Sequence, residues 1–319
     1  MKEPLVSIVT ACYNGEKFLD QYFDSVLNQT YNNIEIIVVN DGSTDESLEK
    51  LYSYQDKVKK RGYRYQIINK QNGGPLSAVA LGIENCQGEF LTWPDIDDVM
   101  HKDYVQKKVQ ILMENSEYDF LITPYHIFLL ENKTKIVGTA WKTPFESKKN
   151  LIDRFILGID AGYAPGAFMA KTKKLFEIYP DKKIFSNMKT GQNIPIVFPM
   201  ICLGNTLYAN ECLYDYYIHQ QGLHLNDSEN QYYTTRELYR RVLETIDISL
   251  ETKKSVIRKV DIRSSQLLLG VALEKGDKKL LHQSVNELKQ EGAYNLKDKI
   301  KSILIYVPGL YRVWRKITG

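Results

Sequence analysis

An unbroken apolar, β-branched run over residues 5–12 gives way to the polar loop Tyr13-Asn14-Gly15-Glu16, after which Phe18, Tyr22, Val26 and Leu27 recur at helical spacing. A short apolar run bounded by turn residues predicts a buried strand, and the 3.6-residue period after it predicts a helix packed on that strand. The pattern then repeats. Residues 34–39 form a second strand that stops at Asn40-Asp41-Gly42-Ser43-Thr44-Asp45; Leu48 and Leu51 mark the next helix, with Ser43 or Thr44 as its cap and Glu46 in its first turn. Residues 65–69 form a third strand leading to Lys70 and the turn Asn72-Gly73-Gly74-Pro75, with a short helix over 76–85.

The fourth strand ends differently, because residues 89–98 deliver the apolar run Phe90, Leu91, Trp93 into Asp95-Ile96-Asp97-Asp98. Strands alternating with helices pair in parallel through right-handed crossovers, and ligands then lie beyond the carboxyl ends of the strands. All four polar loops fall at such an end. The first hundred residues therefore predict an α/β fold with a doubly wound, mostly parallel sheet and a cleft along one edge.

Farther on, Tyr104, Val105, Val109, Leu112 and Met113 predict a helix, and residues 120–130 a longer strand. Residues 135–139 are expected to pair with that strand across Glu131-Asn132-Lys133, which turns the sheet mixed. Residues 142–181 are less regular, punctuated by Gly158, Gly162, Pro165 and Gly166, and are expected to form the acceptor side of the cleft. Gly191-Gln192-Asn193 opens another apolar run, and residues 207–218 read as a final strand. From about 229 to 292 the pattern is helical without glycine-rich loops. The expected organisation is a domain over 1–227, itself divided into 1–100 and 101–227, then a helical accessory subdomain over 228–294 and a separate tail over 295–319.

That tail places Leu296, Ile300, Ile303, Leu304 and Val307 on one helical face and carries six basic residues against the single acid Asp298. With Tyr306, Tyr311 and Trp314 it reads as a basic amphipathic segment suited to an anionic membrane surface, although packing on the helical subdomain explains the same pattern.

Composition narrows the classes. At 319 residues and 43% hydrophobic the chain can bury a full core. A net charge of +3 without a clustered basic stripe argues against a nucleic-acid partner. Cys12, Cys86, Cys202 and Cys212 lack metal-site spacing and read as small core residues in a reducing compartment. The opening Met1-Lys2-Glu3-Pro4 is wrongly flanked for a secretion signal, so a cytoplasmic location is expected, peripheral on the membrane through the tail.

Alternation along an extended strand tip sends Asp95 and Asp97 to the same side, where two carboxylates can hold Mg²⁺ or Mn²⁺ together with substrate phosphates. Asp98 reads equally as a third ligand or as a cap for the following helix. Asp41 sits where a doubly wound fold reads a base or ribose, or else is an Asp-Gly turn residue. Tyr13 can stack on the same base and Asn14 bond to it, or both can be turn and core residues.

Taken in order, residues 6–16 (Val-Ser-Ile-Val-Thr-Ala-Cys-Tyr-Asn-Gly-Glu), 36–45 (Ile-Ile-Val-Val-Asn-Asp-Gly-Ser-Thr-Asp), Asn72-Gly73-Gly74, Gly88-Glu89-Phe90-Leu91 and Asp95-Ile96-Asp97-Asp98 resemble the family 2 glycosyltransferases of the Rossmann-like GT-A fold. The resemblance covers roughly the first hundred residues. It implies a nucleotide-diphosphate sugar as donor, a UDP-sugar by preference, held by Thr10, Ala11, Tyr13, Asn14, Asp41, Lys70, Gly74 and Asp95. It also implies a divalent metal on Asp95 and Asp97, joined by His224, with His219 as a competitor. The acceptor implied is a hydroxyl of a glycan or polyprenyl-linked glycan in cell-surface polysaccharide synthesis, with inversion at the sugar.

Three positions depart from the family pattern. Ala11 stands where many relatives have proline. Leu76-Ser77-Ala78-Val79-Ala80 lacks the arginine usual after the Gly-Gly turn, leaving Lys70 as the substitute phosphate contact. Gln192 and Asn193 occupy the catalytic segment where inverting relatives carry Glu-Asp, and an amide orients a hydroxyl but does not take its proton at neutral pH. That substitution keeps a second reading open, a nucleotide-sugar-binding protein or scaffold without turnover.

Overall fold

The computed structural model describes residues 3–184, 193–218 and 229–304. They form two compact units, one ending by Ile218 and the other starting at Glu229.

The first unit begins with β1 (Val6–Cys12), α1 (Glu16–Leu27), β2 (Ile34–Asn40), α2 (Ser47–Ser53), α3 (Gln55–Arg61), β3 (Arg64–Asn69), α4 (Pro75–Glu84) and β4 (Phe90–Thr92). It continues through β5 (Val99–Met100), α5 (Tyr104–Glu114), β6 (Phe120–Ile122), β7 (Tyr125–Leu129), β8 (Asn132–Ala140), α6 (Lys148–Leu157), β9 (Phe168–Lys171), α7 (Thr172–Ile178), α8 (Asn193–Leu203), β10 (Thr206–Tyr208) and β11 (Tyr214–Ile218).

Seven strands make one sheet in the order β10-β6-β9-β4-β1-β2-β3. β1 pairs in parallel with both β2 and β4, and β2 with β3, whereas β9 runs antiparallel between β4 and β6. β1 and β2 are buried along nearly their whole length, which is why they read as largely hydrophobic runs. On α1, Leu19, Tyr22, Phe23 and Val26 return every three or four residues and are fully buried. Burying side chains of this size stabilises the fold by ~1.5–3 kcal/mol each. The result is the mixed α/β, mostly parallel architecture expected.

A second sheet of four strands, ordered β5-β11-β7-β8, holds β11 parallel to β7 and antiparallel to β5. Two single strands expected from the sequence are each split between the sheets. Residues 120–130 divide at Thr123 and Pro124 into β6 and β7, since a proline cannot donate to a ladder. Residues 207–218 divide into β10, in the large sheet, and β11, in the small one. The hairpin expected from 135–139 does form, as β7 and β8 pair antiparallel. The apolar run that Asn193 opens is a helix, α8. It is buried on nearly all sides, so no periodicity marks it as helical.

The α2 helix takes Glu46 as its first flanking residue, with the Asp45 carboxylate accepting from Ser47 N at 3.1 Å. Ser43 and Thr44, the expected caps, serve the loop instead.

The second unit contains α9 (Glu229–Thr245), α10 (Leu250–Lys275), α11 (Lys278–Gln290) and α12 (Leu296–Leu304). Its core is built from Leu268, Leu269, Ala272, Leu280, Leu281 and Leu288. Side-chain caps start two of the helices, Ser249 on Thr252 N and Asp277 on Lys279 N and Leu280 N. Among the described residues no helix is long and apolar enough to cross a membrane.

Candidate functional site

The carboxyl ends of β1 to β4 open onto one cleft of about 150 Å³. Ala11 and Tyr13 come to it from β1, Asp41 from β2, Asn72, Gly74 and Pro75 from the loop after β3, and Asp95, Ile96 and Asp97 from the tip beyond β4. Four separate strand ends thus contribute side chains to one volume. Pockets that enclose a whole small organic ligand run to ~300–1,000 Å³, so this cleft is smaller than a whole-ligand pocket. Tyr13 is half exposed at its rim.

Asp41 is 2% exposed and fully engaged. Oδ1 accepts from Lys70 Nζ at 2.7 Å and from Gly73 N at 2.9 Å, and Oδ2 accepts from Gly74 N at 2.8 Å. Those two amides open α4, where the unpaired N–H groups and the helix dipole favour an anion. The chain supplies that anion itself, so Asp41 shapes the third loop as well as facing the cleft. Gly74 has φ +88° and ψ 166°, a conformation essentially reserved for glycine. At Gly42, φ is +72° and a Cβ would stand 2.8 Å from Asn72 N. Both glycines are needed for the loops to close on Asp41. Lys70 also donates to Gln71 O at 2.7 Å and therefore stands at the cleft as half of an ion pair.

Thr10 and Asn14 are placed differently from the expectation that they touch a ligand. Thr10 is fully buried, its hydroxyl 2.8 Å from Tyr22 Oη and donating to Pro94 O at 3.0 Å. It holds the acidic tip from beneath. Asn14, at φ +47°, accepts from Thr44 N at 2.8 Å and ties the first loop to the second.

Asp95, Asp97 and Asp98 bring carboxylate oxygens within 4.8 Å of one another. Asp98 is not a cap, because α5 starts beyond Asp103; it turns inward, 1% exposed, toward β11. Tyr214 Oη donates to Asp98 Oδ2 at 2.6 Å and Tyr217 N donates to Oδ1 at 2.9 Å. The same Tyr214 oxygen accepts from Asp95 N at 3.2 Å, so one phenol fixes two members of the cluster. Burial, and then the charges of Asp97 and Asp95, push the Asp98 carboxyl well above the usual carboxylate range. A crowded set of hard oxygen donors suits a divalent cation such as Mg²⁺ or Mn²⁺, which would relieve that repulsion.

Tyr214 has its own support, which the sequence does not announce. A Cβ on Gly166 would stand 2.1 Å from the Tyr214 ring, so only glycine leaves room for it. Gly166 O in turn accepts from Lys108 Nζ at 2.7 Å, and Lys108 is completely buried with its ammonium 4.2 Å from the Tyr104 ring centroid. Burial drives that ammonium well below the ordinary lysine range.

Asn193 is buried at the start of α8. Its Oδ1 accepts from Trp93 Nε1 at 3.2 Å and its Nδ2 donates to Tyr163 O. The amide therefore steadies Trp93, two residues ahead of Asp95. Gln192, His219 and His224 lie outside the described residues, as does the tail from 305 onward.

A sheet of this order, with glycine turns and paired acids beyond the carboxyl ends of β1 to β4, defines the GT-A class of fold. The family model for glycosyl transferase family 2 matches residues 7–178, and the chain belongs to that family. Among curated relatives, an uncharacterized glycosyltransferase of Haemophilus influenzae is 35% identical over 141 residues, 44% of this chain and 42% of that protein. Glycosyltransferase GlyA of Streptococcus pneumoniae is 36% identical over 125 residues, 39% of this chain and 17% of its own length. The chain thus spans less than half of the length of either. Two solved structures share the fold at low identity. S. aureus TarS 1-349 in complex with UDP-GlcNAc has a TM-score of 0.67 at 18% identity, over 90% of this chain and 80% of that one. The mannosyltransferase PcManGT from Pyrobaculum calidifontis, in complex with GDP-Man and Mn²⁺, has a TM-score of 0.56 at 12% identity, over 98% and 88%.

Proposed function

We propose that the protein transfers a sugar from a nucleotide-diphosphate sugar to a hydroxyl of a glycan or polyprenyl-linked acceptor in surface-polysaccharide synthesis. The observation that carries this reading is the meeting of Asp95 and Asp97 with Asp41 and Tyr13 around one cleft. Tyr13 stacks on the base, and the cleft wall by Ala11 and Gly74 receives the nucleoside. Asp95 and Asp97 hold the cation, which stabilises charge developing on the departing diphosphate. A UDP-sugar is the preferred donor, in line with the UDP-GlcNAc bound by TarS. Lys70 neutralises Asp41 and lies next to the phosphate path. Asn193, already bonded on both sides of its amide, acts by positioning Trp93 and the acidic tip. Transfer with inversion then needs a base other than Asn193.

The test is donor binding and turnover with Mn²⁺ present. Asp97→Ala is expected to reduce turnover by on the order of 100-fold and to remove the Mn²⁺-dependent part of the thermal shift given by the nucleotide. Unchanged donor binding in this variant would sink the assignment. Tight donor binding by the unaltered protein without turnover, over a broad acceptor panel, would establish the second reading, a binding protein, which the committed amide of Asn193 favours.

We further propose the organisation 1–227, 228–294 and 295–319, with the last segment resting on an anionic membrane surface at the cytoplasmic face. In support, α12 leaves Leu296, Ile300 and Ile303 at 72%, 41% and 63% exposure, with lysines along the same helix. Deleting 295–319 should lower sedimentation with anionic liposomes while sparing hydrolysis of soluble donor. Equal sedimentation of the two proteins would reduce the segment to a structural helix.

A further inference from the structure

We propose that His101, His126 and Asp215 form a second cation site, separate from the acidic tip and selective for a first-row transition metal such as Zn²⁺. The three residues come from three segments of the small sheet. His101 follows β5, His126 lies on β7 and Asp215 on β11, where Asp215 and His126 are partners in the parallel register. Their ligand atoms all lie within 4.8 Å of one another, and each side chain is partly open to solvent.

The distances fit a metal. His101 Nε2 is 3.0 Å and His126 Nδ1 3.5 Å from the same oxygen, Asp215 Oδ1. Tetrahedral ligands on bonds of ~2.0 Å stand ~3.3 Å apart, between the two observed values. Phe128 packs at 89° to the His126 ring, and the His101 backbone is fixed, its N donating to Leu213 O at 3.0 Å and its carbonyl accepting from Gln29 Nε2 at 2.8 Å. Around the site lie Asp103 and Lys107, which act on His101, and the Cys212 thiol, which burial and Asp215 push up.

Two imidazoles and one carboxylate favour zinc and its transition-metal neighbours, whereas the all-oxygen tip favours Mg²⁺ or Mn²⁺. The sites are joined by β11, whose alternation sends Tyr214 to the acidic tip and Asp215 to the histidines. A cation here would fasten β5, β7 and β11 together and steady the strand that holds Asp98.

The experiment uses the full chain freed of metal by chelation, with Zn²⁺ and Co²⁺ as probes. One equivalent of Zn²⁺ is expected to raise the melting temperature by about 3 °C or more, and Co²⁺ to give visible absorption of histidine-ligated geometry. His126→Ala and Asp215→Asn should each weaken Zn²⁺ binding by about tenfold or more. Asp97→Ala should leave the Co²⁺ spectrum intact, which separates this site from the proposed donor cation and keeps the two ideas independently testable. Absence of a Co²⁺ band in the unaltered protein overturns the proposal without recourse to any variant. Zn²⁺ affinity insensitive to His101→Gln and Asp215→Asn, used if His126→Ala fails to fold, overturns it equally.

Discussion

The two halves of the cleft are held together in opposite ways. Around Asp41, the groups that fix the site lie in the loops of neighbouring parallel strands: Lys70, Gly73 and Gly74 reach across from β3 to β2. Around Asp98, the fixing groups come from another sheet, with Tyr214 and Tyr217 arriving on β11 from more than a hundred residues along the chain. The first arrangement is carried by donors from the adjacent loop, where glycine conformations set the backbone, and the second by donors brought in from a second sheet. They should therefore fail differently when cut.

The largest effect is expected at Asp98. Asp98→Ala leaves the Tyr214 hydroxyl and the Tyr217 amide without acceptors, at a cost of about 3 kcal/mol in denaturant unfolding, partly offset by relief of crowding among the acids. A neutral result would mean that the crowding already cancels those bonds, and the contrast between the halves would disappear. Gly74→Ala probes the other half. Forcing a side chain into φ +88° should cost about 2 kcal/mol and, by moving an amide off Asp41, weaken nucleotide binding while leaving β11 untouched. A stable variant with full nucleotide affinity would show that this loop tolerates slack.

The smallest effect is expected in the irregular stretch between the halves. Asp160 accepts from Lys142 N, Thr143 N, Thr143 Oγ1 and Arg154 Nη2, from a backbone at φ +43°. Burial raises its pKa, but these donors together outweigh that and hold the carboxyl below the ordinary value. A depressed native pKa means stability that is present above the unfolded value and lost as pH falls through the native one. Asp160→Asn should cost about 1 kcal/mol at neutral pH, and that difference should shrink as pH falls below the ordinary carboxylate range. A difference independent of pH would locate the effect in packing instead.

The same division explains what the sequence made legible. β1, β2, β3 and α4 show as apolar runs and turns because each is defined by its own residues. Tyr13, Asp41, Asp95 and Asp97 could be singled out because strand ends carry them. Thr10 on β1 and Asn14 in the loop after it turn to their neighbours, which depends on hydrogen bonds to Tyr22, Pro94 and Thr44 that no local pattern encodes. Asp98 read as a cap or ligand because its acceptor role needs β11. Residues 207–218 looked like one strand since only a five-residue break separates β10 from β11, and nothing local says the two belong to different sheets. The α8 run was ambiguous because burial on all sides erases the period that distinguishes helix from strand.

Gly166 gives the acidic tip an unusual kind of adjustability. Its missing side chain is the seat of the Tyr214 ring, and the ring sets where Asp95 and Asp98 stand. The geometry at the mouth of the cleft is therefore tuned by the size of a residue that never reaches it. A single methyl added at that distant seat would act on the acids as a wedge driven under the far end of a lever.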